Sequence, residues 1–359
     1  MAQRVLVAMS GGVDSSVAAA LLKEQGVDVA GVFMRNGVKH DTANKGKPNK
    51  QGCCSIEDSR DAANVAQMLG VPFYALNFED DFNQIIDYFV DEYLHGRTPN
   101  PCVRCNNDLK FGRVIEYADD IGASSVATGH YARTRHERGR YRLFRAADRA
   151  KDQTYYLFGL TQEQLARCSF PLGDMTKGEV REHAARLNLC TRDKPESQEI
   201  CFVPNNDYRT LIESRAPQSL REGPVIDRAG KQLGTHRGTP AYTIGQRRGL
   251  GIGGGDPLYV TGLQPETNTV VVGTADDLLC KEAVIARPNF IGLETPATGE
   301  RLRALLQIRY RHAAAPATLT MLADGSLHAE FDLAQSAVTP GQAAVFYDGE
   351  ECLGGGFLQ

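Results

Sequence analysis

Two hydrophobic rhythms divide this chain. Up to about residue 205, short unbroken apolar runs alternate with stretches whose apolar positions recur at helical spacing. That alternation predicts an α/β domain with a doubly wound, mostly parallel sheet. Residues 4–9 read as a buried strand, 17–25 as the helix after it with Gly26 as its stop, and 27–34 as a second strand. Residues 57–69 carry Ala62, Val65, Ala66 and Leu69 on one helical face before Gly70. Residues 71–78 then read as strand, 81–93 and 109–121 as helices, and 125–128 as a strand running into Gly129 and His130. Pro99 and Pro101 argue against helix over 97–102. Over 36–52 the periodicity lapses, leaving Lys39, Lys45, Lys47 and Lys50 either in a solvated excursion or in an arm that contacts phosphate.

From about residue 206 the rhythm shortens. A short helix over 209–214 is followed by strand-like pieces at 225–227, 232–234, 242–244, 258–260 and 269–273, separated by glycine clusters. From about 280 onward the pattern is all β. A long alternating run covers 301–310, and Asp324-Gly325 and Asp348-Gly349 supply hairpin turns. The expected order is an α/β domain over 1–205, a small β-rich domain over 206–278 and a β-barrel over 279–359.

Composition narrows the setting. Of the 359 residues, 42% are hydrophobic and 23% charged, as in ordinary globular proteins. A net charge of −4 gives no global basic field, so any nucleic acid must meet a local basic face. The chain has no long uncharged apolar run and no charged-then-apolar leader, which points to a cytoplasmic protein without a membrane role. Nine cysteines without a leader suggest reduced thiols, some of them available for chemistry.

The chemistry concentrates in three places. Ser10-Gly11-Gly12-Val13-Asp14-Ser15-Ser16 follows the first strand, where glycines admit a close ligand and helix-start N–H groups favour an anion. The heptad is similar to the pyrophosphate loop of the N-type ATP pyrophosphatases. A Walker A loop is excluded, because no glycine is followed at the required spacing by Gly-Lys-Ser/Thr. Cys102-Val103-Arg104-Cys105 is a C-x-x-C just before a predicted helix; alone it is ambiguous between redox, metal and chance. Cys201 lies in an apolar run and, taken alone, reads as a core cysteine. Cys53-Cys54 forms no second metal-ligand pair of standard spacing.

Nearly end to end, the chain resembles the tRNA-specific 2-thiouridylases. The likeness is carried by the heptad, the Gly-Arg-Thr-Pro-Asn-Pro at 96–101, Cys105-Asn106 with Leu109-Lys110-Phe111, and Ala127-Thr128-Gly129-His130-Tyr131. It continues through Lys151-Asp152-Gln153, Ile200-Cys201-Phe202, Thr243-Ile244-Gly245-Gln246-Arg247, Arg309-Tyr310-Arg311, Thr339-Pro340-Gly341-Gln342 and Cys352-Leu353-Gly354-Gly355-Gly356. This resemblance implies ATP-dependent 2-thiolation of the wobble uridine of tRNA. ATP, with Mg2+, would be held by Ala8, Met9, Ser10, Gly11, Gly12, Val13, Asp14 and Ser15 together with Met34 and Gly129.

By the same resemblance Cys201 would carry a persulfide and Cys105 would resolve it, leaving a transient disulfide between them. Asn100, Pro101, Cys102, His130, Lys151, Asp152, Gln153, Arg309, Tyr310 and Gln342 would touch tRNA. A persulfide-donating sulfur carrier or cysteine desulfurase would be the second partner of a monomer. Cys102 departs from the pattern, since many relatives carry Asp there. Either it is a spectator or alternative resolving thiol, or Cys102, Cys105 and Cys201 together hold a 4Fe–4S cluster. Another adenylating pyrophosphatase, acting on a different tRNA position or substrate, and a non-enzymatic ATP- or cluster-sensing RNA-binding module are the remaining alternatives.

Overall fold

The computed structural model describes residues 4–37, 56–196, 200–203, 207–253 and 256–359. The lysine-rich stretch from 38 onward and Cys53-Cys54 lie outside them. Two compact units emerge: Met1–Ile86 with Pro101–Asn206 and Glu350–Leu353, and Asp87–Asn100 with Asp207–Gly349 and Gly354–Gln359.

In chain order the first unit begins β1 (Arg4–Ala8), α1 (Val13–Glu24), β2 (Asp28–Arg35), α2 (Ile56–Leu69), β3 (Phe73–Asn77) and α3 (Glu79–Leu94), whose last turns belong to the second unit. After α4 (Pro101–Arg104), a π-helix (Cys105–Arg113) and α5 (Val114–Asp120) come β4 (Ala123–Thr128), β5 (Ala132–Glu137) and β6 (Arg140–Arg145). A 3₁₀ turn (Thr154–Tyr156), α6 (Gln162–Ala166), β7 (Cys168–Ser169) and α7 (Lys177–Arg186) follow. The core sheet has the order β3-β2-β1-β4-β7, and every pairing in it is parallel. The chain therefore builds outward on one side of β1 and then crosses to the other. That reversal between β1 and β4 opens a crevice at the strands' carboxyl ends, where open α/β sheets bind ligands.

Helix α1 fills the space above the sheet. Val13, Val17, Ala18, Ala19 and Leu22 share one core with Val7, Val29 and Phe33. Burial of Val17 and Phe33, each at most 1% exposed, stabilises the unit by about 1.5–3 kcal/mol per side chain. Three consecutive alanines, 18–20, are all fully buried, so α1 is enclosed on nearly every side rather than amphipathic. Gly26, at φ +78°, ends the helix in the left-handed region as expected.

Several local expectations are corrected. Helix α1 starts at Val13, not 17, because extended Gly12 is the N-cap and the Ser15 and Ser16 hydroxyls donate back to its carbonyl. The polar run that looked like loop is the helix's first turn. The proline-rich loop gives way to helix at Pro101, so both C-x-x-C thiols are helical rather than preceding a helix. Proline at the first helical position lacks only an N–H that would be unpaired anyway. Residues 242–244 are not a strand. A 3₁₀ turn (Thr239–Ala241) flanked by Gly238 at φ +119° and Gly245 at φ +85° bends the chain and buries Tyr242 in the central core.

The second unit continues with α8 (Tyr208–Arg215), β8 (Gly223–Asp227), β9 (Gln232–His236), β10 (Tyr259–Gln264) and β11 (Thr269–Gly273), the strands pairing in the order β10-β11-β8-β9. Then come β12 (Leu279–Phe290), β13 (Arg301–Gln307), β14 (Ala315–Met321), β15 (Leu327–Ser336), β16 (Ala343–Asp348) and β17 (Glu351–Leu358). Their order, β12-β15-β14-β13-β16-β17, closes through β12–β17 into a six-stranded antiparallel barrel. Gly325 and Gly349 take positive φ in the anticipated hairpin turns. Strand β13 stops at Gln307, short of the expected 310, because its side-chain amide donates to the carbonyls of Arg309 and Tyr310 and turns the chain. Among the described residues no helix is long and apolar enough to cross a membrane.

Gly129 and Gly178 give contrasting tests of this packing. A Cβ on Gly129 would lie 2.6 Å from the Ser15 amide nitrogen, whereas one on Gly178 in α7 meets nothing closer than 3.8 Å. Gly129→Ala should cost about 1–3 kcal/mol through forced backbone displacement, and Gly178→Ala should be neutral or gain up to about 1 kcal/mol. Denaturant unfolding of the two variants checks the difference.

Candidate nucleotide and thiol site

The parallel register sets the geometry of the crevice. Ala8 pairs with Thr128 at the ends of β1 and β4, so the turns that follow emerge side by side. Gly11 holds φ +74°, and a Cβ there would sit 2.2 Å from the Asp58 carbonyl oxygen; only glycine fits. Ser10 Oγ and Ser15 Oγ lie 3.3 Å apart, and the Ser10 amide donates to Ser15 Oγ at 3.1 Å. No side chain caps the start of α1. Its first-turn amides thus point at the crevice beside an exposed Ser10, the arrangement that binds phosphate. Gly129 serves this site indirectly, by letting β4 press against the Asp14–Ser15 backbone. Met34 is half-buried and lies one residue before the end of β2, at the sheet's carboxyl edge.

Charged groups surround the loop. Asp14 Oδ1 accepts from Tyr131 Oη at 2.8 Å and from Lys177 Nζ at 2.6 Å. Burial, and then the neighbouring Asp14 carboxylate, push the Tyr131 phenol far up, so it stays a donor. Lys194 Nζ donates to the Gly11 carbonyl at 3.1 Å while pairing with Asp58 and Asp61. Glu196 sits among Lys151 at 2.5 Å, Lys177 at 3.6 Å and Arg181 at 4.0 Å. Burial opposes ionisation of Glu196, but these three cations hold its carboxyl below the usual range. Sequence reasoning missed Lys177, Lys194 and Glu196, because they lie far along the chain from the loop and no spacing marks them.

The thiols occupy two kinds of backbone. Cys105 opens the π-helix that continues α4, and π segments inside helices concentrate at functional sites. One side chain braces this widened stretch: Gln164 Nε2 donates to the carbonyls of Asn107 at 3.1 Å and Phe111 at 2.7 Å. Asn106 donates to the Tyr156 carbonyl at 3.1 Å. The buried Oδ1 atoms of Asn106 and Asn107 have no hydrogen-bond partner among the described residues. Such orphaned acceptors cost stability. Cys201 lies in a turn closed by the Val203 amide on the Ile200 carbonyl, with Phe202 edge-on to Phe82 at 5.6 Å. Cys102, Cys105 and Cys201 are all half-buried members of the first unit.

No disulfide joins the described cysteines. Among the described residues no three His, Cys, Asp or Glu side chains converge as metal ligands. As placed, the three thiols do not form a ready iron–sulfur ligand set.

The other expected contacts have structural partners. His130 is 9% exposed, lies between Phe111 and Phe170, and its Nδ1 is 2.7 Å from Thr128 Oγ1. Burial, with a lesser contribution from Lys110, holds its pKa well below 6.5. Asp152 is buried, accepting from Arg145, the Ala146 amide and Thr154. Gln153 brackets Tyr131 through two backbone-directed bonds, its Oε1 accepting from the Tyr131 amide. In the second unit, Gln342 Nε2 donates to the carbonyls of Thr98 and Pro99, which fixes the loop leading to buried Asn100. Arg309 and Tyr310 are half-buried in the turn after β13.

A uniformly parallel sheet with this heptad at its switch point defines an ATP-pyrophosphatase-like protein. Family models match in succession: a tRNA methyl transferase HUP domain over 3–205, a tRNA methyl transferase PRC-barrel domain over 209–274, and an aminomethyltransferase β-barrel domain over 281–358. A tRNA-specific 2-thiouridylase MnmA from Geotalea uraniireducens is 51% identical over 99% of this chain and 95% of its own length. Its counterpart from Moorella thermoacetica is 50% identical over 99% of both chains, and that from Carboxydothermus hydrogenoformans 48% over 99% and 98%. The chain belongs to the tRNA-specific 2-thiouridylase family.

Neutral, buried His130 makes stability pH-dependent. Its folded pKa lies below the unfolded value of 6.5, so the unfolded state binds more protons between the two. Its contribution is whole above pH 6.5 and is lost as pH falls toward the folded pKa, with a slope of up to about 1.4 kcal/mol per pH unit. Unfolding free energies of wild type and His130→Gln should diverge only below pH 6.5, the wild type losing more.

Proposed function

We propose that this protein carries out ATP-dependent 2-thiolation of the wobble uridine of tRNA. Family membership along the whole chain supports the reaction. The uncapped start of α1 behind Gly11 and Gly12 supports its ATP-splitting half and is the observation that carries the reading. The C2 carbonyl of uracil is a poor electrophile. Its oxygen would attack the α-phosphorus of ATP, forming an adenylated base and releasing pyrophosphate. The amides of α1, with Ser10 and Ser15, would take the phosphates. Tyr131 and Lys177 would hold Asp14 still, so that this turn does not reorganise as charge shifts.

Sulfur would arrive as a persulfide on Cys201, loaded by a sulfur carrier or desulfurase. Its terminal sulfur attacks C2, and AMP leaves with the former carbonyl oxygen. The Cys105 thiolate then attacks Sγ of Cys201 and breaks the sulfur–sulfur bond. The released electron pair completes the C2 thiocarbonyl, and a Cys105–Cys201 disulfide remains. An external dithiol supplies the two electrons that restore both thiols. Exchange of this kind requires the two Cα atoms to come within about 7 Å during turnover. Cys102, on the same helix as Cys105, takes no part in this balance. The half-buried Arg309–Tyr310 turn and the Thr98–Gln342 contact are proposed to order the surfaces that tRNA meets.

Nucleoside mass spectrometry of tRNA treated with purified protein, ATP and a persulfide donor tests the reading. Wild type should form 2-thiouridine. Cys201→Ser and Cys105→Ser should form none while tRNA binding persists. A Cys105→Ser protein that turns over repeatedly would refute the resolving role.

A further inference from the structure

Three cations from two stretches of chain converge on one carboxylate. Lys151 Nζ donates to Glu196 Oε2 at 2.5 Å, while Lys177 Nζ and Arg181 lie 3.6 and 4.0 Å from Glu196 Oε1. Lys177 and Arg181 stand four residues apart on α7, which puts both on one face of the helix. A capping box of Thr176 and Glu179 fixes the first turn of α7. Asp148 joins the two stretches. Its carboxylate accepts from the Ala150 amide at 3.1 Å and from the Lys177 amide at 2.9 Å, and its carbonyl accepts from the Lys151 amide at 3.0 Å. The Arg181 guanidinium also donates to the Arg192 carbonyl, at 3.2 Å. The backbone of both lysines and the head of Arg181 are thus held by bonds that do not involve Glu196.

Glu196 is the detachable member of the cluster. It lies in no helix or strand, and its side chain is 25% exposed. Take its carboxylate away and three like charges face one another, so another anion is favoured in its place. The cluster is continuous with the loop after β1, because Lys177 Nζ also donates to Asp14 Oδ1 at 2.6 Å in the first turn of α1. Lys177 is 11% exposed, with Nζ 5.9 Å from the centre of the Tyr131 ring, so its ammonium is confined between the loop and Glu196. A diphosphate brings more charge and more acceptor oxygens than a carboxylate, and it can span several cations at once. Glu196 sets a limit on how tightly such an anion is kept.

We infer that Lys151, Lys177 and Arg181 form a pyrophosphate subsite beside the loop, and that Glu196 competes for it and so hastens departure of the diphosphate product. The inference rests on the ATP-splitting reading above. Isothermal titration calorimetry of full-length protein with inorganic pyrophosphate tests it, comparing wild type with Glu196→Gln, Glu196→Asp and Arg181→Gln. Glu196→Gln should bind pyrophosphate about tenfold more tightly and Arg181→Gln about threefold more weakly, with Glu196→Asp closer to wild type than Glu196→Gln. In turnover, Glu196→Gln should lower the KM for ATP and make added pyrophosphate a stronger inhibitor, whereas loss of a purely structural ion pair would raise KM. A Glu196→Gln protein with the wild-type melting temperature that binds pyrophosphate no more tightly overturns the competitor role. If Glu196→Gln does not fold, Arg181→Gln decides, and an unchanged affinity for pyrophosphate overturns the subsite. Wild-type protein that binds no ATP overturns the ATP-splitting reading itself.

Discussion

Backbone meets backbone where β4 ends against the first turn of α1, and the rest of the candidate site depends on that contact. Gly129 leaves room for the Asp14–Ser15 peptide, and the level ending of Ala8 and Thr128 makes the meeting possible. With β4 held there, Tyr131 reaches Asp14 and Gln153 reaches Tyr131. A glycine usually assigned to ligand approach is here required by the protein's own packing.

Electrostatics then prepare the crevice. Helix-start amides and Lys177 favour an anion, while Asp14 and Glu196 keep the lysines ordered when none is bound. Buried charges are tolerable only when paired, so the carboxylates are as much part of the site as the cations. The thiol at 105 belongs to a different kind of preparation. A π-helix braced by Gln164, with two nearby buried amide oxygens unpartnered among the described residues, stores local cost in the fold beside that thiol.

Much of this was legible in the sequence, for identifiable reasons. Parallel strands are continuous apolar runs, so the core sheet could be read from residues 4–9, 27–34 and 125–128. Hairpin turns announce themselves through Asp-Gly, which located the barrel's connections. The first turn of α1 was misread because serines and aspartate look like loop until the carbonyl of Gly12 is seen accepting the Ser15 and Ser16 hydroxyls. Cys102 was misplaced because proline ends helices far more visibly than it starts them. Lys177, Lys194 and Glu196 were invisible for a simpler reason. They join the loop only through the sheet's topology, across more than 100 positions for Lys177 and Asp14.

The central chemical claim is that the oxygen of the target base leaves on AMP. Wobble uridine labelled with ¹⁸O at C2, converted in a single turnover and analysed by mass spectrometry, tests it directly. One label in AMP, with none in pyrophosphate or in the 2-thiouridine, is the expected result. Label released to water or carried in pyrophosphate, with AMP unlabelled, would contradict it.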